Sequence, residues 1–214
     1  MAGTAPDRRE RRYAETRREI LRAARRVVAR SGARDCSVRD IAEVVGFSAP
    51  ALYRYFPGGK DEILVALARE NLAFLDRHLR RVPADLPPEE RIIELGLVYL
   101  EFAREHGEDL GILLESVAAV EAEDRDPAAG PLGGDEIFAT IDQAFRDAVD
   151  AGVLVAREPS DVVLMWHGAW SLLQGMSVVE RLHPHHEEMY KTRARDLLQA
   201  FINGLKTDWT REVV

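Results

Sequence analysis

The chain's 214 residues are 46% hydrophobic and 31% charged, enough to bury a sizeable core as one large domain or as a small domain beside a larger one. No run of 18 or more apolar residues occurs, so no membrane span is expected, and the charged opening MAGTAPDRRERRYAE lacks the apolar stretch of a signal peptide. The single Cys36 excludes an intrachain disulfide and fits a reducing, cytoplasmic setting, where it reads as a small buried residue.

The net charge of −8 is unevenly spread. Residues 1–60 hold 14 Lys and Arg against 7 Asp and Glu, whereas residues 61–214 hold 15 against 30. A basic head on an acidic body is the electrostatic footprint of an end that meets a polyanion, although arginines along a first helix also serve as a solvated face.

In chain order, residues 1–15 read as a flexible basic arm in which Arg8, Arg9, Arg11 and Arg12 cluster. Such an arm can contact phosphates, lie in a minor groove, or be a tail without a role. Thr16 and Glu19 have capping-box spacing, which predicts a helix from there to about Ser31, ended by Gly32. Ile20, Leu21, Ala24, Val27 and Val28 form its apolar stripe.

The stretch Ser37–Phe56, SVRDIAEVVGFSAPALYRYF, then reads as two short helices joined by a tight turn. Ser37 and Asp40 cap the first, and Val38, Ile41, Ala42 and Val45 give it one apolar face. Gly46 supplies the left-handed backbone that ends it, Ser48 caps the second helix, and Pro50 falls in the first turn, where a missing N–H costs least. Leu52 and Phe56 share an inward face, leaving Arg54 outside with Tyr53 and Tyr55 flanking it. A helix-turn-helix needs one apolar face to hold the pair together and one free face to enter a major groove.

A fourth helix is predicted from about Lys60 to Arg81, with Ile63, Leu64, Leu67, Leu72, Leu75 and Leu79 as apolar positions, ended by the Pro83–Pro88 segment. Further helices are expected at about 88–106, 108–122, 133–151, 160–182 and 187–207, with the Asp-, Pro- and Gly-rich stretch Glu121–Gly134 as a mobile loop. Residues 161–182 are apolar nearly all the way round, which predicts burial on most sides. The last helix has a narrower stripe of Leu197, Leu198, Phe201, Ile202 and Leu205. The fold class is therefore all-α. An arm at 1–15 precedes a three-helix helix-turn-helix DNA-binding domain at 16–60 and a larger helical ligand-binding and dimerisation domain at 61–214, whose first segment, 61–81, links the two.

Three runs, TRREIL at 16–21, SVRDIAEVVGFS at 37–48 and ALYRYFPGGKDEIL at 51–64, resemble the DNA-binding domain of the TetR family of bacterial transcriptional regulators. The likeness extends from Thr16 to about Asn71, and the Phe-Pro-Gly-Gly-Lys link at 56–60 is one residue longer than the commoner form. The resemblance implies that Arg39, Ala49, Pro50 and Ala51 face bases, by bidentate pairing to guanine or by contact with thymine methyls. It implies that Tyr53, Tyr55 and Lys60 hold the phosphate backbone and that Arg54 reads a base or pairs with phosphate. Ser37 and Ser48 would offer hydroxyls or N-terminal amides to phosphate. The same residue types also serve as caps and core contacts, so each position has a purely structural alternative.

Beyond the fourth helix the resemblance holds as architecture. WHGAW at 166–170, with YLEFAREH at 99–106, is similar to a C-terminal domain found in a subset of TetR-like regulators. A ligand site is implied, for which Phe74, His78, Tyr99, Phe102, Trp166 and Trp170 are aromatic candidates and His167 and Gln174 polar ones; each is equally at home in an ordinary core or surface. The last two helices, paired with their symmetry mates, would form a four-helix dimer interface through Leu197, Leu198, Phe201, Ile202 and Leu205. Alternatively, that stripe packs inside the monomer.

The function implied is a ligand-responsive, non-enzymatic DNA-binding regulator, more often a repressor, which binds a near-palindromic double-stranded operator as a homodimer and is released by a small molecule. Two other classes stay open: a small-molecule-binding protein or enzyme with a vestigial head, and a non-specific DNA binder without an effector. The reading calls for no cofactor and no metal. His183, His185, His186, Glu187 and Glu188 crowd one turn but fit no strict ligand spacing, and neither a Gly-rich phosphate loop nor a nucleophile elbow is present.

Overall fold

A computed structural model describes residues 7–120 and 135–207. Among the described residues are nine α-helices, one 3-10 turn and no strand. The helices are α1 (Arg8–Asp35), α2 (Val38–Val45), α3 (Ala49–Leu52), α4 (Gly59–Leu79), α5 (Pro88–Glu105), α6 (Gly107–Val120), α7 (Asp135–Asp150), α8 (Pro159–Leu182) and α9 (Glu187–Leu205). The stretch 121–134, expected to be a mobile loop, lies outside the described residues. Described residues 7–72 and 108–120 form one compact unit, and 73–107 and 135–207 a second; the division falls inside α4, after Leu72.

In the first unit, the apolar stripe of α1 supplies Ile20, Leu21, Ala24, Val27 and Val28 to a core completed by Ile41, Ala42, Leu52, Phe56, Ile63, Leu64, Leu67 and Ile112. This is the face that helical periodicity selects. The start of α1 differs from the expected one. Residues 8–15, read as a flexible arm, are helical, and the capping box is Asp7 with Glu10, whose carboxylate accepts from the Asp7 N–H at 3.0 Å. Thr16 sits mid-helix, its hydroxyl donating to the Arg12 carbonyl. Residues 8–12 carry no apolar side chain, so periodicity could not find the start of the helix. Regular helix ends at Gly32 (φ 81°, ψ 158°), as expected, and a short turn continues to Asp35.

Charged groups tie α6 into this unit. The Arg25 guanidinium pairs with the Asp109 carboxylate and donates to Asn71 Oδ1 at 3.0 Å, while Asn71 Nδ2 donates to the Asp109 carbonyl. Further along α6, Glu115 accepts from the Ala33 N–H at 2.8 Å, directly after the break in α1.

The second unit is built around α5, which packs on α7, α8 and α9. Its core takes Ile93, Leu100 and Phe102 from α5, Ala144, Phe145 and Ala148 from α7, Val162 and Met165 from α8, and Leu198 and Ile202 from α9. Glu180, nearly buried on α8, is ion-paired to Arg104 of α5 at 2.6 Å. By length and composition α8 is apolar enough to cross a membrane, although it holds no unbroken apolar run of 18 residues. It packs within this unit along Val162, Met165, Leu173 and Met176, so a core helix accounts for the same composition.

Most of the stripe considered for dimerisation packs inside the chain, the alternative reading of it. Leu198, Ile202 and Leu205 are buried within the chain, and Phe201 lies against Gly168, where an added Cβ would come within 3.2 Å of its ring. Leu197 alone of the five is exposed. With α8 apolar on every side, periodicity cannot say which of its faces α9 covers, and α9 uses its strongest stripe to do so.

Candidate nucleic-acid interface

The helix-turn-helix is set by local capping. Ser37 Oγ accepts from the Asp40 N–H at 3.2 Å and donates to Asp40 Oδ2 at 2.6 Å, while the Asp40 carboxylate accepts from the Ser37 N–H. The α2 helix ends at Gly46 in the left-handed region (φ 78°), where a side chain would be strained, and the Phe47 N–H returns to the Ala42 carbonyl at 2.8 Å. Ser48 occupies the cap position of α3 without a side-chain cap bond, and Pro50 lies in the first turn. The α3 helix is short; Tyr53 to Tyr55 continue as turns, closed by the Tyr55 and Phe56 N–H groups on the Leu52 carbonyl.

Burial divides this segment cleanly. Ile41, Ala42, Leu52 and Phe56 face the core, whereas Arg39, Ser48, Pro50, Tyr53 and Arg54 are exposed and Ala49 and Ala51 half-buried. Arg39 therefore stands free near the start of α2. The small side chains at 49–51 leave the opening of α3 low enough for a base edge to approach.

Three expected contacts acquire intramolecular partners. The Ser37 hydroxyl spends its one O–H on Asp40 in the capping box. Lys60 Nζ donates to the Arg34 carbonyl at 2.6 Å, which leaves two N–H groups for phosphate. Tyr55 is half-buried, stacked on Tyr13 at 5.0 Å between centroids and near Phe47 at 6.3 Å. Tyr53 instead projects outward with its ring over Gly59.

Tyr13 and Arg17 were not anticipated. Arg17 donates to the Tyr55 carbonyl, pairs with Glu62 at 3.3 Å and lies 3.9 Å from the Phe56 ring centroid, and the Tyr13 hydroxyl is 3.4 Å from the Arg54 and Tyr55 carbonyls. Spacing four apart on α1 puts Arg9, Tyr13 and Arg17 on one face, a signal present in the sequence. Cys36, between α1 and α2, is 3% exposed, and burial pushes its thiol pKa up against the opposing effect of Lys60.

The ligand candidates divide into groups. Phe74, His78 and Phe102 meet edge to face, with centroids 4.8–5.3 Å apart, and His106 joins them 4.6 Å from Phe74. Trp166 stacks on His167 at 3.7 Å; among the described residues no ring contact joins this pair to the Phe74 group. His167 is exposed, its Nδ1 2.8 Å from the Val163 carbonyl, and Gln174 is half-buried. Tyr99 is buried with no hydrogen-bond partner for its hydroxyl, and burial pushes its pKa up to about 12 against the opposing effects of Trp170 and Arg181. Among the described residues no three His, Cys, Asp or Glu side chains are grouped to hold a metal ion.

A capped helix-turn-helix with a buried inner face and an exposed Arg39 and α3 opening, on an otherwise helical chain, is the architecture of a helix-turn-helix DNA-binding head. Residues 20–67 match the model for bacterial regulatory proteins of the tetR family. Over 93 residues the chain is 37% identical to the HTH-type transcriptional regulator BetI of Brucella canis, a match covering 42% of this chain and 46% of that protein. The matched stretch thus spans about half the length of the curated relatives. The fold is shared with the ketosteroid transcriptional regulator KstR2 of Mycobacterium tuberculosis (TM-score 0.59, 19% identity, 97% of this chain and 99% of that one). It is shared too with AibR, solved with isovaleryl coenzyme A and operator DNA (TM-score 0.56, 21% identity, 77% and 84%). Residues 20–67 are thus similar to the DNA-binding domain of the TetR family.

Proposed function

We propose that the protein is a ligand-responsive repressor that binds a near-palindromic operator as a homodimer. The observation that carries this reading is the free Arg39 beside the low, exposed opening of α3, on a helix pair whose inner face is packed into the core. Arg39 and residues 49–51 read bases, while Tyr53 and the remaining N–H groups of Lys60 grip phosphate. Two heads about 34–36 Å apart would meet successive major-groove faces.

Dimerisation is assigned to the outward faces of α8 and α9. Leu164, Val178 and Leu182 on α8, and Met189 and Leu197 on α9, are exposed apolar side chains. Gly175 and Gly204 lie on these same faces, with open space where a Cβ would stand, so a facing helix can approach closely. A small molecule held by the aromatic groups of the body, with an acceptor for the Tyr99 hydroxyl, would favour a state whose heads no longer match the operator. The AibR complex shows one protein of this fold with both an acyl coenzyme A and operator DNA.

Gel retardation on DNA flanking the protein's own gene tests the reading. Tighter binding there than to an unrelated duplex at the same salt is expected, and equal binding across a salt series would instead identify a non-specific binder. Arg39→Ala should cost about 1–3 kcal/mol and relax sequence preference, whereas Lys60→Ala should weaken all duplexes alike.

A further inference from the structure

The first two turns of α1 break the ordinary rules of helix design. Arg8, Arg9, Arg11 and Arg12 sit at the positive end of the helix macrodipole, with like charges three and four residues apart. All four are exposed, and among the described residues none is ion-paired; the nearby Glu10 carboxylate is used on the Asp7 N–H. Arg8 to Arg12 bury nothing apolar. A segment that violates local preferences without a packing gain is where function is expected.

Its position supplies the function. On one face of α1, Arg17 donates to the Tyr55 carbonyl, and Tyr13, one turn earlier, stacks on the Tyr55 ring. Side chains on a helix lean toward its N-terminus, so Arg9, one turn earlier again, is carried past Tyr55, with Arg12 beside it. We infer that Arg9 and Arg12 bind DNA phosphates next to the base pairs read by α3, making the start of α1 a second clamp on the backbone. The inference rests on the DNA-binding reading above. A rigid helical mount, pinned through Tyr13 and Arg17, favours backbone contact over insertion into a groove.

The test compares the full-length protein with its Arg9→Ala/Arg12→Ala and Arg9→Lys/Arg12→Lys variants on the flanking duplex and an unrelated duplex, from 50 to 200 mM salt. The alanine pair should flatten the plot of log affinity against log salt by about two, so that the wild type loses about tenfold more affinity than the variant over that range. Both duplexes should be affected alike, the lysine pair should restore most of the slope, and thermal unfolding should not move. An unchanged slope overturns the inference. So does a loss confined to particular flanking base pairs, which would place the arginines in a minor groove. If the wild type itself does not prefer the flanking duplex, the repressor reading fails, while the slope on either duplex still decides the clamp.

Discussion

Gly59 stands where the turn after α3 becomes α4, with φ 62° and the Tyr53 ring 3.1 Å from where a Cβ would sit. Gly59→Ala would strain left-handed backbone by about 1–2 kcal/mol and also push Tyr53 from its position. For a chain of this size that corresponds to roughly 2–8 °C in melting temperature. Reduced DNA affinity should accompany it; a melt and a retardation assay together check this, and an unmoved melt would mean the turn relaxes freely. At Tyr99 the burial has a pH consequence. Its folded pKa of about 12 exceeds the ordinary 10, so the unfolded chain releases the proton first as pH rises. The stabilisation is complete below pH 10 and is lost toward pH 12, by up to about 2–3 kcal/mol. Tyr99→Phe should leave the melt at pH 7 unchanged or slightly raised, since it removes an unpartnered hydroxyl, and should remove this share of the alkaline loss. Melts at both pH values decide it.

Among the elements, those with a strong helical period were the legible ones. The bounds expected for α4, α5, α8 and α9 agree with the structure to within about two residues, because apolar stripes and flanking prolines mark them. The α1 start was missed because Asp7 to Arg12 holds only charged residues, and the helix there is carried by capping. The stripe on α9 was seen, but not what covers it: tertiary packing, which periodicity cannot specify, turned Leu198 and Ile202 inward. Around the turn, Ser37 and Arg39 differ in hydrogen bonding and burial, a difference the sequence does not show because both are polar residues at a helix start. This division yields an expectation for assembly. Val178→Glu/Leu197→Glu should convert a species of about twice 24.0 kDa to one of 24.0 kDa in sedimentation without loss of helicity, whereas Leu198→Glu should unfold the second unit. Persistence of the larger species in the surface variant would place the interface elsewhere.

At the scale of the whole chain, basic residues concentrate in the first 60 positions and acidic ones in the rest, a pattern visible before any fold is known. On the proposed function, such segregation would favour approach of DNA to the basic segment and disfavour it at the acidic one. The chain also has a single thiol, Cys36, buried at the junction of α1 and α2 and kept protonated by its surroundings. A soluble alkylating reagent therefore reacts only when this junction opens, so its rate is a clock for local unfolding of the reading head, with no other cysteine contributing signal. An operator that clasps the head should slow that clock, and whatever loosens the grip should let it run.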